Sequence, residues 1–329
     1  MRLKHLVFQA LAAAARKKEP VALGIISSVK GSSPQKIGAK ALFYADGRIQ
    51  GTLGGGCLEA EIQQRAIQAL RNDKSETFEL LLDHDFGWDD GLICGGKVSG
   101  VIIPNAQKAG EDFWTKLVEV KSALRLEVAE NFELRLRLNP EALAEEKSEK
   151  KSRYQETVVP PCALWIAGAG HIAQAVAPLA AQLDFTITVF DDRPALANAQ
   201  YFPAAIQLKV DAWDRLLATD LPAVPTFGLI VTRGHRHDAL VLKDWIQKPF
   251  LFIGMIGSSR KARTIFDHFL ETKIATPAQL ARVSCPVGIK IRSQSVQEIA
   301  VSIMAQYIDK RAEGLGSLNA KPSGTNELI

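Results

Sequence analysis

Two hydrophobic rhythms run along this chain, and the change between them falls near residue 160. In the first part, residues 21–29, 39–44, 48–53, 78–82 and 97–103 are alternating or apolar runs of strand length. Asp46-Gly47 between two of them signals a hairpin, because a type I′ turn needs positive φ at both central positions. Leu58, Ile62, Ala66, Ala69 and Leu70 instead recur at helical spacing. The start, MRLKHLVFQALAAAARKKE, has the outline of a signal peptide, yet Gln9 interrupts its apolar run; it reads as an amphipathic first helix.

Past residue 160 apolar strands and helices alternate: 163–167, 172–183, 186–190, 228–232 and 250–255, with helical segments between. That order predicts a parallel sheet with crossover helices. Ser295-Val-Gln-Glu298 is a capping-box signature for a helix over 299–311. The fold class expected is therefore α/β: an N-terminal α+β domain over 1–138, then a Rossmann-like, doubly wound parallel-sheet domain over 161–312. Between them residues 139–160, charged and then Val-Val-Pro-Pro, read as a linker, and the Gly- and Ser-rich tail 313–329 reads as disordered.

Composition narrows the classes of function. The 40 basic and 36 acidic residues leave a small net charge of +4 with no basic tract, which argues against nucleic acid and anionic membranes. No apolar run approaches the ~20 residues that span a bilayer. The 4 cysteines, Cys57, Cys94, Cys162 and Cys285, make neither a C-x-x-C pair nor a zinc spacing, which predicts a reducing cytoplasm.

Candidate chemistry sits in the glycine loops. Strand 164–167 runs into Gly168-Ala-Gly170-His171-Ile-Ala173, the G-x-G-x-x-A form of the dinucleotide turn, and Asp191 follows at the end of the next strand. Such glycines let the backbone approach a pyrophosphate, a helix start favours the anion, and the acid accepts from ribose hydroxyls. The plainer reading of Gly168 and Gly170 is a tight turn with close helix packing. A second loop, Gly254-Met-Ile-Gly257-Ser258-Ser-Arg260, offers amide, hydroxyl and guanidinium donors, or simply Ser258 as a helix N-cap. His235-Arg-His237-Asp238 falls at the carboxyl edge of the sheet and reads as a polar loop touching ligand, in preference to a metal site.

In the first domain Gly54-Gly55-Gly56 leads into Cys57 and a helix, while Cys94 precedes Gly95-Gly96. Successive free N–H groups make an anion nest, and a helix start favours a thiolate, which is a nucleophile or a soft-metal ligand. Against this stands the common fate of free cysteine, burial as a small inert side chain. Glu59 in the first helical turn suits the helix dipole and could also accept hydrogen bonds from a ligand ring.

Taken together, Gly31-Ser-Ser-Pro34, Gly38-Ala39, Asp46-Gly47, Gly54-Gly-Gly-Cys57 with Glu59, and Cys94-Gly-Gly96 resemble the first domain of the xanthine dehydrogenase accessory proteins, the XdhC/CoxI family. Gly168-Ala-Gly-His171, Asp191-Asp192-Arg193, Gly254 to Gly257-Ser258, Pro286-Val-Gly288 and Glu298-Ile-Ala-Val-Ser302 resemble its Rossmann half. Two departures stand out: Thr232-Arg-Gly-His235 where many members have Thr-His, and Gln306 where a Glu is usual.

The resemblance implies a cytoplasmic maturation factor, a chaperone more than an enzyme, with no catalytic residues of its own. It would hold molybdenum cofactor (molybdopterin), support its sulfurated form, and pass it to apo-xanthine dehydrogenase or a related molybdenum hydroxylase. A cysteine desulfurase as a second partner and a homodimeric state are further expectations. Cys57 would face the molybdenum, and the glycine loops with His171, Asp191, Asp192, Arg193, His235, Gly257 and Ser258 would cradle cofactor or nucleotide. The alternative is an NAD(P)-dependent oxidoreductase using Gly168, Gly170 and Asp191; no Tyr-x-x-x-Lys pair accompanies that fingerprint.

Overall fold

A computed structural model describes residues 3–31, 35–82, 96–138 and 152–316, which divide into two compact units at Pro160/Pro161. The first unit opens with helix α1 (Leu3–Lys17), then strands β1 (Val21–Lys30), β2 (Lys40–Tyr44) and β3 (Ile49–Gly51) and helix α2 (Gly56–Asn72). Strands β4 (Glu76–Leu82) and β5 (Gly96–Ile103) follow, then α3 (Glu111–Val118) and strands β6 (Leu124–Ala129), β7 (Leu134–Leu138) and β8 (Ser152–Val158). Five strands form an antiparallel sheet in the order β3-β2-β1-β5-β4, and β7-β6-β8 form a second.

Alternation along β1 explains the layering, since successive side chains in a strand point to opposite faces. Val21, Leu23 and Ile25 join Phe8, Leu11, Trp114 and the β6 residues Leu126 and Val128 in one core. Ala22 and Ile26 face the other way, onto Leu58, Ile62, Ala66 and Ala69 of α2. The sheet thus carries α2 on one face and α1 on the other. Gly100 in β5 is needed for steric reasons, because a Cβ there would stand 2.2 Å from the Ile25 carbonyl oxygen.

The second unit is the expected parallel sheet. In chain order it comprises β9 (Ala163–Ala167), α4 (His171–Gln182), β10 (Thr186–Asp191), β11 (Gln207–Val210), α5 (Trp213–Leu217), β12 (Thr226–Ile230) and α6 (His235–Trp245). Then come β13 (Phe252–Met255), α7 (Ser259–Glu271), α8 (Pro277–Leu280), β14 (Val283–Ser284) and α9 (Val296–Gly316). The six strands are all parallel, ordered β11-β10-β9-β12-β13-β14. The chain winds to one side from β9 and to the other from β12, so the topological switch point lies between those two strands. One face packs α4 and α9 around Leu164, Phe227 and Tyr307. The other packs α5, α6 and α7 around Trp165, Phe190 and Trp245.

Two local readings need correction. Residues 152–158, read as the end of a linker, are strand β8: Tyr154 is buried and every residue from Tyr154 to Val158 pairs with β6. Pairing with a strand far upstream leaves no local signature in SRYQETV. Helix α9 begins at Val296 on its capping box, with Ser295 Oγ accepting the Glu298 N–H at 3.2 Å, and continues to Gly316, beyond the expected end of the domain. The remaining linker residues, 139–151, and the tail from 317 lie outside the described residues.

Candidate functional site

Glycine loops run into helices in both units. In the first unit β3 ends at Gly51, and Thr52 to Gly55 turn the chain into α2. Gly54, Gly55 and Gly56 all have positive φ, at 128°, 73° and 57°. Other residues reach that region only at a cost of roughly 1–2 kcal/mol each. Nothing lies within 4 Å of a Cβ built on Gly55 or Gly56, so these glycines serve backbone conformation and leave the space above the loop open.

Gly55 is the N-cap of α2 and offers no side chain to its first-turn N–H groups. Cys57, the second residue of the helix, is exposed. Glu59 braces this turn: its Oε2 accepts the Leu53 N–H and the Thr52 hydroxyl, both at 2.8 Å. Thr52 Oγ1 in turn accepts the Gly54 N–H at 3.1 Å. One Glu59 oxygen is therefore committed to the loop that presents the thiol.

Cys94 and Gly95 lie outside the described residues, as do residues 32–34 of the Gly31-Ser-Ser-Pro34 stretch. Gly96 is not a loop residue: it is buried at the start of β5 and pairs with Leu82 of β4. Gly38 packs under the first unit's second sheet, where a Cβ would meet the Tyr154 hydroxyl at 2.9 Å. Beside it the Lys40 ammonium donates to the Gly38 carbonyl at 2.9 Å and pairs with Glu156 at 2.5 Å.

In the second unit the turn after β9 sits at the switch point. Gly168 has φ 108°, and a Cβ there would lie 2.4 Å from the Val231 carbonyl oxygen, so this glycine is required by the close passage of the chain leaving β12. Gly170 differs: its φ is −74°, and a Cβ would meet nothing within 4 Å. It is the N-cap of α4 with no capping side chain, and exposed His171 begins the helix. Gly234 repeats this arrangement at α6, with exposed His235 as its first residue.

Asp191 ends β10 as anticipated, but its carboxylate turns inward. Oδ2 accepts the Ala169 N–H at 2.6 Å and an Arg193 guanidinium N–H at 2.8 Å. Oδ1 accepts the Arg193 backbone N–H at 2.9 Å and its Nε–H at 2.8 Å. Burial would raise the pKa of this group, but the Arg193 and Ala169 hydrogen bonds outweigh it and hold the carboxyl below its ordinary value. Its neighbour Asp192 pairs with Arg233 at 2.8 Å, and Arg233 approaches His237 Nε2 at 3.4 Å.

Ser258 is the N-cap of α7, its hydroxyl accepting the Lys261 N–H at 3.3 Å. Gly257 stands against Lys261 and Cys285, so this second loop is a filled strand-to-helix turn. Asp238, expected with His235 and His237 in a polar loop touching ligand, lies instead in the first turn of α6 and is buried in a group that sequence reasoning did not assemble. Buried Asp238 accepts from the Thr232 hydroxyl at 2.6 Å and from the Thr232 N–H at 3.2 Å, and is ion-paired with Lys261. Thr232 and Asp238 lie far from Lys261 along the chain, and only the strand order that sets β12 beside β13 brings them together. Among the described residues no group of three or more His, Cys, Asp or Glu could hold a metal ion, so Cys57 belongs to no such cluster there.

A two-unit α/β protein with an exposed thiol loop in one unit and a dinucleotide-type switch point in the other is what these elements define. Residues 164–307 match the XdhC Rossmann domain, and residues 14–83 match the XdhC and CoxI family. The chain belongs to the XdhC and CoxI family. It is similar to a probable xanthine dehydrogenase subunit of Bacillus subtilis (strain 168), 26% identical over 330 residues, covering 89% of this chain and 94% of the relative. It is also similar to the molybdenum cofactor insertion chaperone PaoD of Escherichia coli (strain K12), 25% identical over 291 residues, covering 86% and 81% of the two chains. The fold matches a crystal structure of a xanthine dehydrogenase from Bacillus halodurans with a TM-score of 0.79 at 24% identity, over 97% of both chains. No described helix is long and apolar enough to cross a membrane.

Proposed function

We propose that this protein is an accessory factor for molybdenum enzymes that carries molybdenum cofactor, supports its sulfurated form and hands it to an apo-hydroxylase of the xanthine dehydrogenase type. An accessory role is supported by the family and by the insertion chaperone among its relatives. The observation that carries the cargo reading is the exposed Cys57 on an uncapped helix start, in a loop with open space above its glycines. A thiolate is a soft ligand that suits molybdenum, and unfilled N–H groups at a helix start suit the cofactor's phosphate.

The chemistry asked of the chain is holding and release. Cys57 supplies one ligand on an exposed surface, which favours exchange over permanent capture. Glu59 and Thr52 keep the loop in shape and need not touch the cargo. The test is anaerobic purification from a cofactor-replete cell, with bound molybdenum and pterin quantified in wild type and in Cys57→Ala. Stoichiometric pterin in the wild type and at least a tenfold loss in the variant are expected. Equal retention in both would remove Cys57 from the role, and no pterin in either would remove the cargo reading.

A further inference from the structure

In a dinucleotide fold the carboxylate at the end of the second strand accepts from the two hydroxyls of a ribose. Asp191 holds that place and is closed to such a ligand. Its side chain is 1% exposed, and its two oxygens already take four N–H groups of the chain. An ionised carboxylate has about four lone-pair sites, so no acceptor remains for a diol.

What this edge shows to solvent is two guanidinium groups with the Asp192 carboxylate, 23% exposed, between them. The Arg193 side chain is 30% exposed, and two of its five N–H groups are spent on Asp191. Arg233 is 44% exposed. Its pair with Asp192 joins the chain after β12 to the chain after β10, the strands on either side of β9, so Arg233 stands at the switch point. The open N-caps Gly170 and Gly234 belong to the helices that follow β9 and β12. A guanidinium fork matches phosphate oxygens and has nothing to accept a hydroxyl proton.

We propose that this sheet edge selects a phosphate ester at the end of β10 in place of a ribose diol, with Arg193 and Arg233 reading the anion and Asp191 acting as a positioning residue. Asp191 aims Arg193 and pins the Gly168-Ala169-Gly170 turn through the Ala169 N–H. The inference rests on the reading that the second unit takes a phosphate-bearing ligand, and it narrows that reading to a class of group. It also counts against an ordinary NAD-dependent oxidoreductase.

NAD and NADP are matched probes, because they differ by one phosphate on the ribose that this strand end would meet. Calorimetric titration of the full chain with both, and with inorganic pyrophosphate, is expected to give NADP at least tenfold tighter than NAD, with pyrophosphate competing. Arg233→Gln should cut that ratio to threefold or less. Asp191→Asn should lower the ratio as well, whereas a purely structural role would weaken both nucleotides equally; Arg193→Lys, which keeps the charge, should retain part of it. NAD binding as tightly as NADP, with pyrophosphate still bound, would overturn the inference and leave standing the reading that the second unit takes a phosphate-bearing ligand. No binding of any of the three at millimolar concentration would overturn both.

Discussion

The loop into α2 and the loop into α4 share a description, glycines before a helix with a carboxylate nearby, and differ in almost every physical reason behind it. Gly55 and Gly56 serve positive φ in open space, whereas Gly168 serves a contact in which Val231 leaves no room for a Cβ. Glu59 braces its loop from seven residues away on a partly exposed helix, whereas Asp191 braces its loop from the next strand and is buried. The first arrangement is local and separable, and suits a surface that must present and release something. The second is woven into the sheet, so a change there should damage the unit as well as the site.

The sharpest way to break this contrast is to give both loops a methyl group. Gly168→Ala is expected to cost about 4 kcal/mol, from a clash with backbone added to left-handed strain. Gly55→Ala should cost about 1 kcal/mol, from strain alone. Urea unfolding followed by hydrogen exchange in peptides of each unit would separate the two; equal costs would mean that the Val231 contact does not matter.

Next in size is the buried brace. Asp191→Asn should cost about 2 kcal/mol at neutral pH, less than a fully buried ion pair because Arg193 reaches solvent. The folded pKa of Asp191 lies below the unfolded value of about 3.9, so the folded state gains from its charge above that value. That gain is lost as pH falls through the folded pKa. The gap between wild type and variant should therefore narrow between about pH 5 and pH 2. A gap unchanged between pH 6 and pH 3 would show that the charge contributes nothing.

A smaller effect concerns the thiols. Burial raises the pKa of Cys162, and burial also raises that of Cys285, where Lys261 opposes the shift and Asp238 adds to it. Cys57 is exposed. Iodoacetamide should label Cys57 about tenfold faster than Cys285, with Cys162 protected until unfolding. Peptide mass mapping against time reads the order directly, and early labelling of Cys162 would contradict its burial.

Much of this was legible in the chain. The alternation in β1 and the spacing of Leu58, Ile62, Ala66 and Ala69 were enough to place the first unit's main sheet and α2. The alternation of strands and helices after residue 160, with Gly168 and Asp191 in register, was enough for the second unit. The strands β6 and β7 form a local hairpin whose Leu134-Arg-Leu-Arg-Leu138 alternation went unread, whereas the polar β8 becomes a strand only by pairing with β6 well upstream. The thiol loop could be located but not its brace, since Glu59 at a helix start is explained by the dipole alone. Asp191 was found at the right place with the wrong partner: which hydrogen bonds fill a carboxylate depends on where Ala169 and Arg193 lie in space.

Strand β8 alters what it means to cut this chain between its halves. A protease acting anywhere within 139–151 would leave β8 still hydrogen-bonded to β6, with the Tyr154 ring in the first unit's core. The two fragments would travel together through a column and part only in denaturant. The covalent joint between the units is therefore the short stretch that follows Val158, and the charged segment before β8 can lengthen, shorten or be severed without disconnecting one half from the other.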